Sequence, residues 1–340
     1  MTPGLAIIAD DLTGALDAAA PFAARGLRVR VALGPGHLGA ALAQAPEVIA
    51  VTTASREIAP ADATAAMRCT LRALPPMRIF KKVDSRLKGN IGAELDALDF
   101  GQALVLPAIP EFGRVVRGGC VAGFGVDHPI DIRARLGRHA MRAEIPDTLT
   151  SGDMAQALRA APTGALLIGA RGLAEALAAQ MTGRPPRPVA TLPGPAALFG
   201  IGSRDPITLA QADALRADPG THFVGAPNGH VPPLPDAPRL LVQALPGDHA
   251  LDGAEVAENL AAALAPLLRP GFGTALLCGG ATAEAVLARR GVGWLEIRGE
   301  CLPGLVVSVT NGLTILTKSG GFGNRDSLLR VAGMIGGIER

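Results

Sequence analysis

Short apolar runs recur along the chain, each released into a polar or glycine-rich turn and then into an alanine- and leucine-rich segment of helical length. Residues 5–9 open the series and end on Asp10-Asp11, and the Ala-rich stretch 16–25 stops at Gly26, a residue suited to ending a helix. Residues 29–33 and 48–51 repeat the run, the second leading into Thr52-Thr53-Ala54-Ser55-Arg56, and a helix is expected over 60–74. Residues 77–80 feed the polar stretch 81–92, and 103–107 feed 108–114. Strand, turn and helix in that order predict a parallel sheet with helices on its faces, whose ligands sit beyond the carboxyl ends of the strands. Successive strands deliver their polar residues to that one edge.

From 115 to 146 the periodicity fades among Gly, Arg and His residues, which predicts a mobile connection or flap with solvated charges. Helices are expected again over 151–161 and 172–181, around a strand at 165–169. The Pro-rich run 183–188 then reads as a linker. A second series begins at 197–203, ahead of Thr208 and Gln211 on a helix. Residues 219–238 read as surface loop, 253–264 as helix, 275–278 as strand and 284–289 as helix. Strands 305–310 and 313–317 are joined by Asn311-Gly312, a type I′ hairpin signal, and a last helix is expected over 327–335. The expected class is α/β in two domains, each a mainly parallel sheet flanked by helices, with boundaries 1–182, a linker at 183–195, and 196–340.

Composition narrows the function classes. The 340 residues suffice for two cores, and 49% hydrophobic against 18% charged residues argues against disorder. A net charge of +2 gives no nucleic-acid or membrane-surface signal, and one Trp with no Tyr removes the stacking platforms of single-strand binders. The four cysteines form no C-x-x-C pair, and with six scattered histidines they give neither zinc spacing nor a disulfide framework. With no secretory pattern at residue 1 and no membrane-length apolar run, the expected location is cytoplasmic.

The candidate chemistry centres on residues 81–92, where Lys81, Lys82, Arg86 and Lys88 interleave with Asp84, Ser85, Asn90 and two glycines. A solvated charged loop is the plain alternative. The glycines and the Asp-Ser pair favour the floor of a site for a small, negatively charged, hydroxylated ligand. Asp10 and Asp11 fall at a strand end; one can cap the next helix, but one cap is enough. Gly202-Ser203, Gly279-Gly280-Ala281-Thr282 and Gly320-Gly321-Phe322-Gly323 are turns able to present main-chain N–H groups to phosphate. There is no Walker A pattern, and no G-x-G-x-x-G succeeds the first strand, which argues against a dinucleotide oxidoreductase.

With these turns in order, the sequence resembles the four-carbon acid sugar kinase family, whose members phosphorylate threonate, erythronate or 3-oxo-tetronate with ATP. The resemblance rests on Asp10 to Ala15, Ser55-Arg56, Lys81 to Ser85 with Gly89-Asn90, and residues 107–114. It continues through Gly169 with Gly172, Gly202-Ser203 with Thr208 and Gln211, Gly279-Gly280 with Thr282, and Lys318-Ser319-Gly320 with Phe322-Gly323. It implies a sugar acid in the N-terminal domain, ATP with Mg²⁺ in the C-terminal one, and an active site in the cleft between them. Asp10, Asp11, Arg56, Lys82, Asp84, Ser85, Asn90 and Arg114 would meet the substrate, with Asp84 or Asp10 orienting the attacking hydroxyl. Ser203, Gly279, Gly280, Ala281, Thr282, Gly320 and Gly321 would meet the nucleotide, and no protein metal ligand is assigned. The partners implied are these two small molecules, with no nucleic acid and no membrane, and the reading leaves room for a homodimer. Departures from the family pattern are Ala281 where an acidic residue is frequent, Arg204-Asp205 after Ser203, Arg86 and Lys88, and a short chain between 114 and 151 and between 211 and 276. They keep open a non-catalytic sugar-acid-binding or regulatory homologue.

Overall fold

Leu5–Ala9 form strand β1, in which every residue is buried, as a continuous apolar run requires when both faces of a sheet are covered. The computed structural model describes residues 4–336, and the chain divides between Pro186 and Arg187. After β1 the first unit continues with α1 (Leu12–Ala23), β2 (Val29–Ala32), α2 (Leu38–Leu42), β3 (Val48–Thr52) and α3 (Pro60–Ala73). Next come β4 (Arg78–Lys82), α4 (Ile91–Leu95), β5 (Ala103–Leu106), β6 (Arg114–Arg117), β7 (Cys120–Gly123) and β8 (Val126–Asp131). It closes with α5 (Ile132–Leu136), β9 (Ala143–Glu144), α6 (Ser151–Ala160), β10 (Leu166–Gly169) and α7 (Arg171–Thr182).

Within this unit the strands pair in parallel in the order β2-β3-β1-β4-β10-β5-β9. The register sets Ala9 opposite Thr52 on one side and opposite Lys82 on the other. The residues leaving β3, β1 and β4 therefore start level with one another. Helix α7 packs on α1 and α6, and it approaches the sheet closely through Gly172. A Cβ there would lie 2.4 Å from the Ala108 carbonyl oxygen.

The segment expected to be a mobile flap is ordered structure. β6, β7 and β8 form an antiparallel three-stranded sheet, and α5, a 3₁₀ turn and β9 come after it. Val116 and Val121 are buried, and Thr148 exchanges two backbone hydrogen bonds with Val116. Gly123, at φ 98°, lets the hairpin close so tightly that a Cβ would sit 2.1 Å from the Gly113 oxygen. Strands of four residues between glycine turns are too short to register as alternation. Nor are the charges all solvated: buried His139 contacts Asp96 at 2.7 Å and Arg142 at 2.9 Å, and Arg142 lies over the Phe100 ring.

The second unit runs β11 (Ala196–Ile201), α8 (Pro206–Arg216), β12 (His222–Pro227), β13 (Arg239–Leu245), α9 (Gly253–Leu264) and β14 (Gly273–Cys278). It ends with α10 (Gly280–Arg289), β15 (Trp294–Leu302), β16 (Leu305–Thr310), β17 (Leu313–Lys318) and α11 (Ser327–Met334). Its order is β12-β13-β11-β14-β17-β16-β15, parallel from β12 to β17 and antiparallel beyond. The surface loop expected at 219–238 thus contains β12, an edge strand whose Gly225 and terminal Pro227 hide its strand character. Asn311 and Gly312 take φ of 46° and 75°, the left-handed pair that a type I′ turn demands. The whole is a mixed α/β fold with mainly parallel sheets flanked by helices. Among the described residues no helix is long and apolar enough to cross a membrane.

The tight seat of α7 gives a stability prediction. Gly172→Val must push α7 off the Ala108 carbonyl and off Met154, and should destabilise the first unit by about 1–3 kcal/mol in urea denaturation.

Candidate active site

The level strand ends of β1, β3 and β4 bring Asp10, the 53–56 loop and the 83–90 loop side by side. Asp10 is 2% exposed, and both its carboxylate oxygens accept from Arg56, Oδ2 from Nε at 2.9 Å and Oδ1 from Nη2 at 2.8 Å. The same guanidinium reaches Asp11, donating from Nη1 to Oδ2 at 2.7 Å and from Nη2 to Oδ1 at 2.9 Å. Asp11 also caps α1, accepting from Gly14 N at 2.9 Å and from the Thr13 hydroxyl at 2.7 Å. One aspartate is thus a cap and the other is not, and both are bridged by one arginine. Burial alone would raise the Asp10 pKa, but the Arg56 hydrogen bonds and the charges of Lys81, Arg56 and Lys82 outweigh it and hold the carboxyl below the usual range. For Arg56, burial works against the charge and the two carboxylates more than restore it, so it is a fixed cation.

In this structure four of the five Arg56 N–H groups are engaged by two carboxylates of the chain itself, which leaves one Nη1 proton for any substrate. The adjacent cation is Lys82, buried, donating to Val83 O at 3.0 Å and bonded to no carboxylate among the described residues. Its Nζ would be 3.1 Å from a Cβ on Gly14, so a side chain at 14 would crowd it. Gly89, at φ 86°, does the same service from the other side, since a Cβ there would lie 2.6 Å from Asp10 Oδ2.

Beneath the fork lies a buried polar layer that sequence reasoning did not find. Lys81, fully buried, sits 3.0 Å from Glu94 Oε2, close enough to pair but outside hydrogen-bond geometry. Glu94 Oε1 accepts from Ser55 Oγ at 2.7 Å and weakly from Thr53 Oγ1 at 3.4 Å, and the Thr53 hydroxyl reaches Ala9 O at 3.0 Å. Asn90 donates from one amide nitrogen to Ser55 O and Ile58 O, both at 2.8 Å, gripping the loop on either side of Arg56. Asn90, expected as a substrate contact, spends its amide nitrogen on holding that loop.

Asp84 is half-buried; its Oδ1 accepts from Arg86 N at 2.8 Å and its Oδ2 has no partner among the described residues. Ser85 Oγ accepts from Arg114 Nη1 at 2.5 Å, and Arg114 also donates twice to Phe124 O at 3.0 and 2.8 Å. Burial and neighbouring Arg86 pull the Arg114 pKa down, against Asp84, which raises it. Arg86 and Lys88 are exposed on either side of buried Leu87.

In the second unit the same logic applies to β11, β14 and β17, whose ends align through Ile201 opposite Cys278 and Cys278 opposite Lys318. The three glycine turns emerge together there. A Cβ on Gly202 would lie 2.0 Å from Thr282 Oγ1, and one on Gly320 would lie 2.5 Å from Ser203 Oγ. Gly279, at φ 110°, is the N-cap of α10, which starts at Gly280 rather than at the expected 284. Thr282 is therefore buried inside the first helical turn, while Gly279 and Gly280 are half-buried and Ala281 is exposed. Ser203 Oγ accepts from Asp205 N at 3.2 Å, and Asp205 caps α8 through Ile207 N at 2.9 Å. From α8, Thr208 donates to Gly320 O at 2.7 Å and Gln211 to Phe322 O and Asn324 O at 3.0 and 2.9 Å. Side chains thus fix these turns from behind, and main chain is left at the front, as Gly320 and Gly321 require. Among the described residues no cluster of three His, Cys, Asp or Glu could hold a metal by itself.

Comparison with known proteins gives the two units different descriptions. A family model described as a sugar-binding N-terminal domain matches residues 5–128, and one described as a nucleotide-binding C-terminal domain matches 235–328. A D-threonate kinase of Cupriavidus necator is 33% identical over 95% of this chain and 95% of its own, and one of Bordetella bronchiseptica is 32% identical over 97% of each. The chain belongs to the four-carbon acid sugar kinase family. Another member, a 3-oxo-tetronate kinase of Methylobacterium radiotolerans, is 30% identical over 98% of this chain and all of its own. The first of these alignments spans 399 residues against 340 in the chain, so that kinase carries segments this family member lacks. A solved protein of Salmonella typhimurium LT2 shares the fold, with a TM-score of 0.71 at 19% identity over 96% of this chain and 98% of that one. Asp10, Arg56, Lys82 and Asp84 all fall in the sugar-binding match, and the 279–282 and 318–323 turns fall in the nucleotide-binding match.

The buried charges can be tested through stability. Glu94→Ala leaves Lys81 buried without a partner, and should cost about 3–5 kcal/mol in equilibrium unfolding. Asp10 is depressed in the folded state, so its stabilisation is complete above the unfolded value of about 3.9 and is lost as pH falls through its lower folded value. Unfolding measured through that acid range should therefore show a stability drop that is shallower in Asp10→Asn.

Proposed function

We propose that this kinase transfers the γ-phosphoryl group of ATP to a hydroxyl of a four-carbon sugar acid, of the threonate, erythronate or 3-oxo-tetronate class. The observation that carries the reading is identity of about 30% or more, over nearly the whole chain, to relatives named as kinases of such acids. The reading assigns the sugar acid to residues 1–182, ATP to 196–340, and 183–195 to the linker between them. Direct transfer needs the acceptor hydroxyl and the γ-phosphate in line, so it also requires a cleft between the two domains.

The residues divide the work by availability. Lys82, the buried cation without a carboxylate of its own, pairs with the substrate carboxylate, supported by Arg114 beside Ser85. The Asp10–Arg56–Asp11 fork forms a rigid polar wall against the substrate hydroxyls. Asp84 is favoured over Asp10 as the orienting carboxylate, because both Asp10 oxygens already accept from Arg56 and its proton affinity is lowered, whereas Asp84 Oδ2 is open. Asp84 accepts the hydroxyl proton as the oxygen attacks γ-phosphorus and the bond to ADP breaks. Main chain at half-buried Gly279, Gly280 and Gly320 and at exposed Ala281 and Gly321, with Ser203, cradles the phosphates. Mg²⁺ would neutralise phosphate charge, and these turns suit a metal carried in by the nucleotide with few protein ligands. Asp205, whose Oδ2 lies 3.4 Å from the Cβ position of Gly321, would be the carboxylate available to hold it.

The test is ADP release from ATP and Mg²⁺ across a panel of four-carbon sugar acids. The wild type should turn over at least one, and Asp84→Asn should lower kcat by about 10²–10⁴ with little change in the KM for the acid. Sugar acids that raise the melting temperature without any ADP release would instead favour the non-catalytic homologue.

A further inference from the structure

Lys318 ends β17 and is 1% exposed. Its Nζ donates to Thr208 Oγ1 at 2.9 Å, to Ser319 O at 3.0 Å and to Gly320 O at 2.9 Å, which uses all three ammonium protons. No carboxylate is bonded to it among the described residues. The neighbouring Cys278 Sγ, 4.0 Å away, offers no charge either, because burial pushes its thiol up and keeps it protonated. Asp205 reaches Lys318 only through its field, while burial pulls the ammonium pKa down.

The contrast with Lys81 gives this arrangement its meaning. Both lysines are fully buried at a strand end, but Lys81 has Glu94 as its counter-charge and Lys318 has only neutral acceptors. A buried cation is expensive unless an anion stands near it. Asp205 supplies only a field and no bond, and the bonded surroundings of Lys318 leave one place for a closer anion. Its three acceptors draw the Ser319 and Gly320 carbonyls and the Thr208 hydroxyl inward, beneath the turn whose outer side is bare glycine backbone. The aligned ends of β11 and β14 put Ser203 and the start of α10 beside it.

We propose that Lys318 is a positioning residue whose counter-charge is the phosphate chain of the bound nucleotide. It touches no phosphate, since its protons are committed to Thr208 and to the Ser319 and Gly320 carbonyls. It holds the 318–321 turn in the form that presents main chain outward, and it places a positive charge behind that turn. The inference rests on the nucleotide reading of this unit, and it adds a signature that a scaffold role would lack. Loss of Lys318 should be felt in proportion to the number of phosphates on the ligand.

Calorimetric titration of the full chain with adenosine, AMP, ADP and ATP provides the test. In Lys318→Met, ADP and ATP should bind at least tenfold more weakly than to wild type, AMP should lose less, and adenosine should bind unchanged. Lys318→Gln, neutral but hydrogen-bonding, should give the same graded loss, and it serves if the methionine variant does not fold. Thr208→Val removes one acceptor from Nζ and covers the failure of both, again with ATP weakened more than adenosine. Equal losses for adenosine and ATP, or ADP binding within twofold of wild type in the neutral variants, would overturn the proposal. A wild type that binds none of the four overturns the nucleotide reading itself, and is told apart because it needs no variant.

Discussion

Asp10 leaves an interior strand of its sheet at a point closed to water, and a carboxylate there is tolerable only because Arg56 crosses from the next strand end with two parallel N–H groups. Much of the first unit's upper edge can be traced to that requirement. Arg56 must be held where it can also reach Asp11, so the backbone on both sides of it is gripped by Asn90 and the residue before it by Glu94. Glu94 in turn needs Lys81. Gly14 and Gly89 lack side chains where the fork leaves no room for them. Charge compensation at one buried oxygen pair thus propagates into the choice of residues on four segments.

The parallel core was legible because a strand covered on both faces reads as an unbroken apolar run, and such runs need no periodicity to be seen. Hence residues 5–9, 48–51 and 103–107 mark β1, β3 and β5 within a residue. β6, β7 and β8 were opaque for the opposite reason, being four to six residues long, exposed on one face and separated by glycines. β12 was hidden by its glycine and proline, and neither β13 nor β15 is among the strands expected from the sequence.

The site was legible as a set of residues but not as a set of partnerships. Sequence brought Asp10, Asp11, Arg56, Lys82 and Asp84 to one edge, yet nothing local says that Arg56 is taken by the two aspartates. Lys81 and Lys82 are identical neighbours in the sequence, and alternation along β4 sends them to different surroundings. One becomes half of an internal ion pair; the other stays available. Telling them apart requires knowing that Glu94, on a later helix, folds back beneath the strand end. Lys318 shows the same limit, because its three acceptors come from α8 and from its own turn, and only the folded chain brings them together.

The 84–90 loop is anchored at both ends and at its midpoint, and only the positions between these anchors face outward. Asp84 pins its start through Arg86 N, Asn90 pins its end to the 55–58 backbone, and Leu87 plugs it into the interior at a left-handed φ of 55°. Arg86 and Lys88 project outside these anchors. Such a segment behaves as an interchangeable cassette: its two exposed positions can drift during evolution, or be exchanged between relatives by an engineer, without disturbing the buried charges that hold the site in shape. The chemistry displayed at these two positions can therefore change separately from the stability of the fold.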